Sequence, residues 1–324
     1  MSETPFLSIV VTGRNDGYGG DFSTRYVRAL RFNHDRLMEH NISYEIVFVE
    51  WNPVPEEPLL ADLLAAELPE PALAATVSYV VDQRYHDAFT LNPHIKFLDY
   101  VAKNVGIRRA SGSFILATNL DDILGRHVIE VIANRQLEQR TVYRAARVDI
   151  KLGVDPGHID WAFVEDERNH ARRPVLKPPL FPGATGDFVL LDRSSMHAVR
   201  GFNEVYRLAR AGVDHNFLVK AYANDLDIVD IGGPVYHPNH DGSFRLLKRL
   251  NSERPAESHF GDYRWHSRDV VYHNPDAWGL KNSPVHPCGD GTTFRLEFDW
   301  SAVPPLVDLR GVVLPGDRVG QTRP

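Results

Sequence analysis

Two adjacent carboxylates near residue 120 form the most chemically suggestive group in the sequence. The apolar run from Phe114 to Thr118 has the length of a buried strand, and Asn119, Asp121 and Asp122 follow it directly. Paired negative charges are costly to desolvate without a cation, and divalent cations prefer oxygen ligands. The pattern therefore indicates a divalent metal site at this strand end. An acidic turn that caps a helix predicted from Arg126 to Leu137 is the competing interpretation.

The elements that must position these side chains alternate between strands and helices in the first third of the chain. Buried strands are predicted at Leu7 to Thr12, Tyr44 to Val49, Thr76 to Val81 and Phe114 to Thr118. Helices are predicted at about residues 23–40, at Leu59 to Leu68, and on the segment that carries Lys103 and Asn104. This alternation predicts an α/β fold with a central, mostly parallel sheet flanked by helices. Such sheets bind ligands at the carboxyl ends of their strands.

The periodicity weakens beyond about residue 150. The segment from Asp155 to Pro182 is rich in charge and proline, which predicts a long irregular connection of the kind that often covers a binding site. The elements predicted after it are a strand at Phe188 to Leu191, a helix at Val213 to Ala223, a strand at Asp227 to Ile231 and a short helix at Phe244 to Leu250. The last residues, from Pro304 onward, are predicted to form a weakly structured tail.

The composition is that of an ordinary globular protein: the 324 residues are 43% hydrophobic and 24% charged. A net charge of -7 argues against a mainly electrostatic grip on nucleic acid or anionic lipid. The single cysteine, Cys288, excludes an internal disulfide framework and is typical of a reducing compartment. The first residues lack the pattern of a signal peptide, and no apolar run is long enough to span a bilayer. These features predict a cytoplasmic protein without a transmembrane segment.

The segment from Lys103 to Asp122 resembles the core of family 2 glycosyltransferases, which have the GT-A fold. Those enzymes commonly carry a Lys-Asn-x-Gly helix, here Lys103-Asn104-Val105-Gly106, and then a strand that ends in Asp-x-Asp-Asp. This chain reads Asn119-Leu120-Asp121-Asp122, so that asparagine replaces the first aspartate. The resemblance covers roughly residues 5 to 245 and implies a GT-A nucleotide-sugar-binding fold. It also implies that Asp121 coordinates Mn²⁺ or Mg²⁺. Because Asn119→Asp would restore the common motif, that substitution is expected to tighten metal binding.

The resemblance also implies contacts to the nucleotide from several strand ends. Thr12, Arg14 and Asp16 belong to the turn after the first strand, which without the resemblance is simply a glycine-rich turn that lacks a phosphate-loop pattern. Glu50, at the end of the second strand, is expected to accept a hydrogen bond from the base of a uridine nucleotide. The remaining predicted nucleotide contacts are Lys103, Asn104 and Asn119.

Residues of the acceptor side follow the same resemblance. Asp187 lies in the segment that begins at Gly183, which resembles the glycine-rich turn beside the acceptor site. Asp214 matches the aspartate that acts as general base toward the acceptor hydroxyl. Capping of the following helix by Asp214 is an alternative that does not exclude catalysis.

Two late histidines complete the predicted site. The family often supplies a histidine to its metal, and His237 and His240 follow a predicted strand where that residue is expected. A separate zinc site that includes Asp241 has no supporting ligand spacing.

Together these residues predict a metal-dependent glycosyltransferase, which is expected to invert the donor sugar's configuration. Residues 1–245 would form the catalytic domain, with a nucleotide-binding half at 1–125 and an acceptor-binding half at 126–245. Residues 246–324 would form a C-terminal extension of unknown role. Its partners would be a nucleotide-sugar donor, with a UDP-sugar favoured, and an acceptor glycan, glycolipid or small molecule. The alternatives are a catalytically silent nucleotide-sugar-binding protein, a sugar-nucleotide nucleotidyltransferase and a histidine-rich metallohydrolase.

Overall fold

The computed structural model of the chain describes residues 4–18, 22–151, 159–172, 186–207, 212–239, 271–288 and 291–305. Its strands are β1 (Leu7–Gly13), β2 (Tyr44–Trp51), β3 (Thr76–Val81), β4 (Phe114–Thr118), β5 (Ile123–Leu124), β6 (Thr141–Lys151), β7 (His170–Arg172), β8 (Phe188–Asp192), β9 (Asp227–Asn239), β10 (Val285–Cys288) and β11 (Thr293–Leu296). Its α-helices are α1 (Phe22–Glu39), α2 (Leu60–Glu67), α3 (Glu70–Ala74), α4 (Gln83–Phe89), α5 (Asp99–Arg109), α6 (Arg126–Ala133), α7 (Trp161–Glu165), α8 (Arg193–Ala198) and α9 (Val213–Ala223). Short 3-10 turns occur at Glu167–Asn169 and Trp300–Ala302.

One mixed sheet joins these strands in the order β10-β11-β3-β2-β1-β4-β8-β6-β9-β5, and β7 pairs with β6 at the side. The four strands β3, β2, β1 and β4 run parallel to one another. The strand β8 then runs antiparallel to both β4 and β6, whereas β9 is parallel to β6. The predicted α/β class is confirmed, and the parallel arrangement holds for the part of the sheet built from the first third of the chain.

Helices cover both faces of the sheet because its central strands are apolar on both sides. All seven residues of β1 are buried. Ile9 and Val11 pack on one face in the cluster that includes Leu30 of α1, whereas Val10 packs on the other face with Ile107 of α5. The two layers fix the strand ends in position, since no strand can shift without exposing one of these faces.

Several strands differ from the sequence prediction: β5, β7, β10 and β11 were not predicted, and two further differences, in β6 and β9, concern the site. The strand β6, with Arg144 and Arg147 inside it, was not predicted, and β9 extends to Asn239 instead of ending at Ile231. A register shift between Arg144 and Ala146 interrupts the β6–β9 ladder. Such a bulge breaks the alternation of inward and outward side chains, which removes the sequence signal that marks a strand.

The predicted helix at Arg126 ends at Ala133, four residues earlier than expected, and the connection after it leads into β6. Inside the predicted irregular connection, residues 159–172 form α7 and β7, and the rest lies outside the described residues. The predicted helix from Phe244 to Leu250 and nearly all of the predicted tail also lie outside them.

Residues beyond 245 contribute to the same sheet. The strand β11 pairs in parallel with β3, and β10 pairs antiparallel with β11. Both strands therefore extend the sheet beyond β3. Trp278 is 1% exposed and packs in the core cluster beside α5 and α9. The described part of the predicted C-terminal extension therefore belongs structurally to the sheet. Among the described helices, none has the length and apolarity required to cross a membrane.

Candidate active site at the strand ends

The turn after β4 holds Asp122 in a fixed orientation. The hydroxyl of Thr118 and the backbone N–H of Asn119 donate to Asp122 Oδ2 at 3.0 and 2.9 Å. Its other oxygen, Oδ1, is buried and accepts no hydrogen bond from the residues that the structure describes. Burial, followed by the nearby charge of Asp187, raises the pKa of Asp122 well above its usual range. A buried acceptor without a donor is costly, so this oxygen is suited to a cation.

Asp121, Asp122 and His237 form a group that could hold a metal ion. One ligand atom from each lies within 4.8 Å of the other two, and all three side chains are buried. Ligands on opposite sides of a Mg²⁺ ion are about 4.2 Å apart, so small adjustments would bring these atoms into a coordination sphere. The set of two carboxylates and one imidazole suits Mn²⁺ or Mg²⁺. The predicted residues Asp121 and His237 are therefore brought together, and Asp122 joins them, whereas His240 lies outside the described residues.

The pairing of β6 with β9 orients His237. The register places Asp149 of β6 opposite His237, whose Nδ1 lies 3.5 Å from Asp149 Oδ1 and 2.9 Å from an Arg147 nitrogen. The other ring nitrogen, Nε2, lies 3.7 Å from Asp121 Oδ1. Burial opposes ionisation of Asp149, but hydrogen bonds from His237 and Arg147 lower its pKa to about 2. Arg147 also donates to Asp149 Oδ1 at 2.6 Å, so that this guanidinium and carboxylate together hold the imidazole ring in place.

A buried polar chain leads from β1 to β4 on the other side of the cluster. Thr12 donates to Asp99 at 2.5 Å, and Asp99 pairs with Lys103 at 3.1 Å. Lys103 is 0% exposed, and its ammonium also donates to Asn119 Oδ1 at 3.0 Å and to the carbonyl of Gly186 at 3.2 Å. The predicted contacts Thr12, Lys103 and Asn119 therefore form one connected network, in which Asp99 is an addition.

Asp187 and Arg147 join this chain to the metal group. The amide nitrogen of Asn119 donates to Asp187, and Arg147 lies 3.2 Å from each Asp187 oxygen. Arg25 of α1 is 4% exposed and lies 3.3 Å from Asp121 Oδ2. The sequence prediction missed Arg25, Asp99, Arg147 and Asp149. Only Asp99 had a local signal, since it precedes Lys103 by one helical turn.

Arg14 and Asp16 contact each other near the end of β1. Their side chains form an ion pair at 2.6 Å, and Arg14 Nε also donates to the carbonyl of Asn52 at 2.6 Å. Asp16 retains 30% side-chain exposure, so it is open to solvent at the strand ends.

The side chain of Asn104 forms hydrogen bonds within the protein. Its amide donates to the carbonyl of Phe202 at 2.8 Å and to Glu204 at 2.9 Å, and its oxygen accepts from the Phe202 N–H at 2.8 Å. The side chain is 0% exposed. Asn104 therefore anchors the segment after α8, and its predicted nucleotide contact stays a prediction.

Glu50 also forms hydrogen bonds within the described part of the protein. It is 0% exposed, and its two oxygens accept from the backbone N–H groups of Leu60 and Ala61 at 2.9 and 3.1 Å. These N–H groups belong to the first turn of α2, where a helix lacks internal acceptors. Glu50 therefore satisfies the start of α2, and its predicted contact with a base stays a prediction.

Glu50→Gln is expected to remove a pH dependence from the stability. Burial raises the pKa of Glu50 from 4.5 to about 7, so the folded chain holds this proton more tightly than the unfolded chain does. The associated stability is fully present below pH 4.5 and is lost as the pH rises through about 7. The loss is at most about 3 kcal/mol. Urea unfolding measured across this pH range should show the free energy of unfolding of the wild type falling relative to that of Glu50→Gln. A difference between the two proteins that does not change with pH would contradict the raised pKa of Glu50.

Asp214 lies in the first turn of α9, but it is not the N-cap. The N-cap is Gly212, whose φ of 87° is left-handed and which makes no side-chain capping bond. Asp214 accepts from the N–H of His215 at 2.9 Å. Burial raises the pKa of Asp214, and the nearby charge of Arg144 partly offsets this effect. The alternative interpretation of Asp214 as the N-cap is therefore wrong, although its carboxylate accepts from an N–H group of the first turn. The nearby charge of Asp187 also raises the pKa of Asp214.

No family model matches this chain, and no curated protein matches it. Several solved structures are similar in fold. GalNAc-T7 with UDP, GalNAc and Mn²⁺ is 12% identical over 73% of this chain, with a TM-score of 0.47, and the match spans 44% of that protein. S. aureus TarS 1-349 in complex with UDP-GlcNAc is 13% identical over 82% of this chain and 70% of its own, with a TM-score of 0.44. The catalytic domain of Drosophila beta1,4galactosyltransferase 7 in complex with xylobiose is 12% identical over 92% of this chain and 96% of its own, with a TM-score of 0.43. At these identities and TM-scores the likenesses carry no argument, and the activity has to be argued from the site.

Proposed function

We propose that this chain is a metal-dependent glycosyltransferase of the GT-A type. It would transfer a sugar from a nucleotide diphosphate sugar, with a UDP-sugar favoured, to an acceptor hydroxyl with inversion. The observation that carries the proposal is the buried group of Asp121, Asp122 and His237 at the strand ends. It adjoins the Lys103 network at the place where the sequence resembles the donor site of family 2 glycosyltransferases.

The charge of the cluster supports a divalent cation. The cluster contains five aspartates and three basic side chains, which leaves a formal excess of two negative charges when all five carboxyl groups are ionised and His237 is neutral: Asp99, Asp121, Asp122, Asp149 and Asp187 against Arg25, Lys103 and Arg147. Uncompensated charge in a buried cluster is strongly unfavourable. A divalent cation would balance this excess, and the diphosphate of a donor would then meet the three basic side chains.

The proposed roles follow from these positions. Asp121, Asp122 and His237 would hold Mn²⁺ or Mg²⁺, which supplies charge stabilisation to the departing diphosphate. Lys103 and Arg25 would offset diphosphate charge from either side. Asp149 would keep the His237 ring turned toward the carboxylates.

The acceptor side would carry the proton transfer. Asp214 would remove the proton from the acceptor hydroxyl as its oxygen bonds to the anomeric carbon and the bond to the diphosphate breaks. The pKa of Asp214, raised by burial, brings this carboxylate closer to the range of an efficient base. Asp187, tied to Arg147 and Asn119, would help to shape the acceptor side. The acceptor would be a glycan, a glycolipid or a small molecule with a free hydroxyl.

Donor turnover tests this function. A panel of nucleotide diphosphate sugars is incubated with the full chain in Mn²⁺, in Mg²⁺ and in chelator, and release of the nucleoside diphosphate is measured with and without acceptor sugars. Release of the nucleoside diphosphate is expected only with a divalent cation, and it should be faster with a suitable acceptor. Tight donor binding without release would instead favour a silent binding protein. Release of pyrophosphate from a nucleoside triphosphate and a sugar phosphate would favour a nucleotidyltransferase.

A further inference from the structure

The side chain of Asn119 joins two groups of opposite charge. Its Oδ1 accepts from the ammonium of Lys103 at 3.0 Å, and its Nδ2 donates to a carboxylate oxygen of Asp187. The reverse orientation of the amide would set its NH₂ against an ammonium and its oxygen against a carboxylate. Only one orientation therefore satisfies both neighbours, and only a side chain with both an acceptor and a donor can do so.

A carboxylate at position 119 would satisfy only one of these neighbours. It would still accept from Lys103, but it would confront the carboxylate of Asp187 with no proton between them. Two carboxylates at hydrogen-bond distance repel, and this region already carries an excess of negative charge. The asparagine that departs from the common motif is thus the residue that its surroundings require.

Fixing Asp187 in turn fixes the next partner in the network. Arg147 lies 3.2 Å from both oxygens of Asp187, and another of its nitrogens lies 2.9 Å from His237 Nδ1. A displaced Asp187 would release one side of this guanidinium and therefore loosen the orientation of His237.

We propose that Asn119 is a positioning residue whose amide bridges Lys103 and Asp187, and that it is not a metal ligand. Asn119→Asp would then loosen the proposed cation site, which is the opposite of the outcome expected from the common motif. The bridge itself stands on the contacts above. Only its effect on a cation rests on the proposed function.

A reciprocal exchange tests the bridge without any metal. In the double variant Asn119→Asp/Asp187→Asn, the carboxylate introduced at position 119 accepts from Lys103. The amide introduced at position 187 donates to that carboxylate, while its oxygen faces Arg147. Urea unfolding in chelator near neutral pH is measured for the wild type, both single variants and the exchange. We expect Asn119→Asp to raise the unfolding equilibrium constant at least about tenfold and the Asp187→Asn background to cancel most of that increase. Additive effects of the two substitutions would overturn the proposal.

A second variant covers the case in which Asn119→Asp does not fold. Asn119→Ala removes both contacts without adding a charge, so it should fold and be more stable than Asn119→Asp. An Ala variant that is less stable than the Asp variant would overturn the proposal. So would an exchange variant that fails to fold while Asn119→Ala folds.

Manganese titration by calorimetry gives the second readout. Asn119→Asp is expected to bind Mn²⁺ about 10- to 100-fold more weakly than the wild type, the usual range for a change behind the ligands. Tighter binding would show that residue 119 is itself a ligand. If the wild type does not bind Mn²⁺ at all, the proposed function fails, whereas the unfolding experiment still decides whether the bridge exists.

Discussion

Asp122→Asn should abolish most of the affinity for Mn²⁺ while leaving the metal-free protein at least as stable as the wild type. The amide oxygen can keep the contacts to Thr118 and to the Asn119 N–H, which places the NH₂ group where the unpartnered Oδ1 now lies. Hydrogen atoms would then face the cation. Substitution of a residue that only hydrogen-bonds a metal ligand lowers metal affinity about 10- to 100-fold. Loss of a ligand itself should therefore lower Mn²⁺ affinity more than about 100-fold. Calorimetric titration of Mn²⁺ measures the loss.

The stability of the same variant supplies an independent check. Burial raises the pKa of Asp122, so the ionised carboxylate destabilises the folded chain near neutral pH, and a neutral amide removes that cost. Asp192→Asn is the matched control, because Asp192 is 3% exposed but caps α8 through the Ser195 N–H. It should leave Mn²⁺ affinity unchanged. If Asp122→Asn bound Mn²⁺ as tightly as the wild type, Asp122 would not be a metal ligand.

Asp214→Asn is expected to lower turnover by about 10²- to 10⁴-fold, the usual contribution of a general base. Gly212 and not Asp214 occupies the N-cap of α9, and the amide oxygen introduced at position 214 can still accept from the His215 N–H, so the substitution should leave the helix intact. Affinity for the nucleoside diphosphate should stay within about twofold of the wild type, since the acceptor base is not part of the cation group. Steady-state release of the nucleoside diphosphate, together with equilibrium binding, separates the two effects.

The outcome of that experiment also decides between two candidate bases. Turnover near the wild-type value would move the role of base to Asp187, the other aspartate of the acceptor side. Asp187 is less available for proton transfer because both of its oxygens lie 3.2 Å from Arg147. Loss of nucleotide affinity in Asp214→Asn would instead contradict a role restricted to the acceptor.

The strands that the sequence predicted best are the four parallel ones, of which β1 and β4 are fully buried and β2 and β3 are mostly buried. The spans of β3 and β4 match the prediction residue for residue, and β1 and β2 each extend past it by one or two residues. Continuous apolar runs identify such strands without any tertiary information. The strand β6 contains Arg144, which is buried and charged, and a register shift follows it, so its pattern resembles neither a helix nor a strand.

The sequence could predict those site residues that follow a predicted strand closely in the chain. Asp121 follows β4 directly, and its role depends on local sequence. The contributions of Arg25 and Asp149 depend on tertiary structure, because α1 packs near the β4 turn and the β6–β9 register sets Asp149 opposite His237. No local pattern encodes either placement.

Asn119 shows the same limit in a different way. Comparison with the common motif suggests that a metal-ligating carboxylate is missing at this position. In the structure the amide instead forms hydrogen bonds with both Lys103 and Asp187. The second neighbour is distant in sequence, so the motif alone does not predict this partner for the amide.

Linked binding of Mn²⁺ and UDP shows whether the cluster at the strand ends holds a cation that contacts the diphosphate. Calorimetric titrations are made of UDP into the protein with saturating Mn²⁺ and in chelator, and of Mn²⁺ with and without UDP. If Asp121, Asp122 and His237 hold a cation that contacts the diphosphate, each ligand should tighten the other by the same factor, at least about tenfold. Equal UDP affinity in Mn²⁺ and in chelator would contradict the account, because the phosphate contacts would then come from the basic side chains alone.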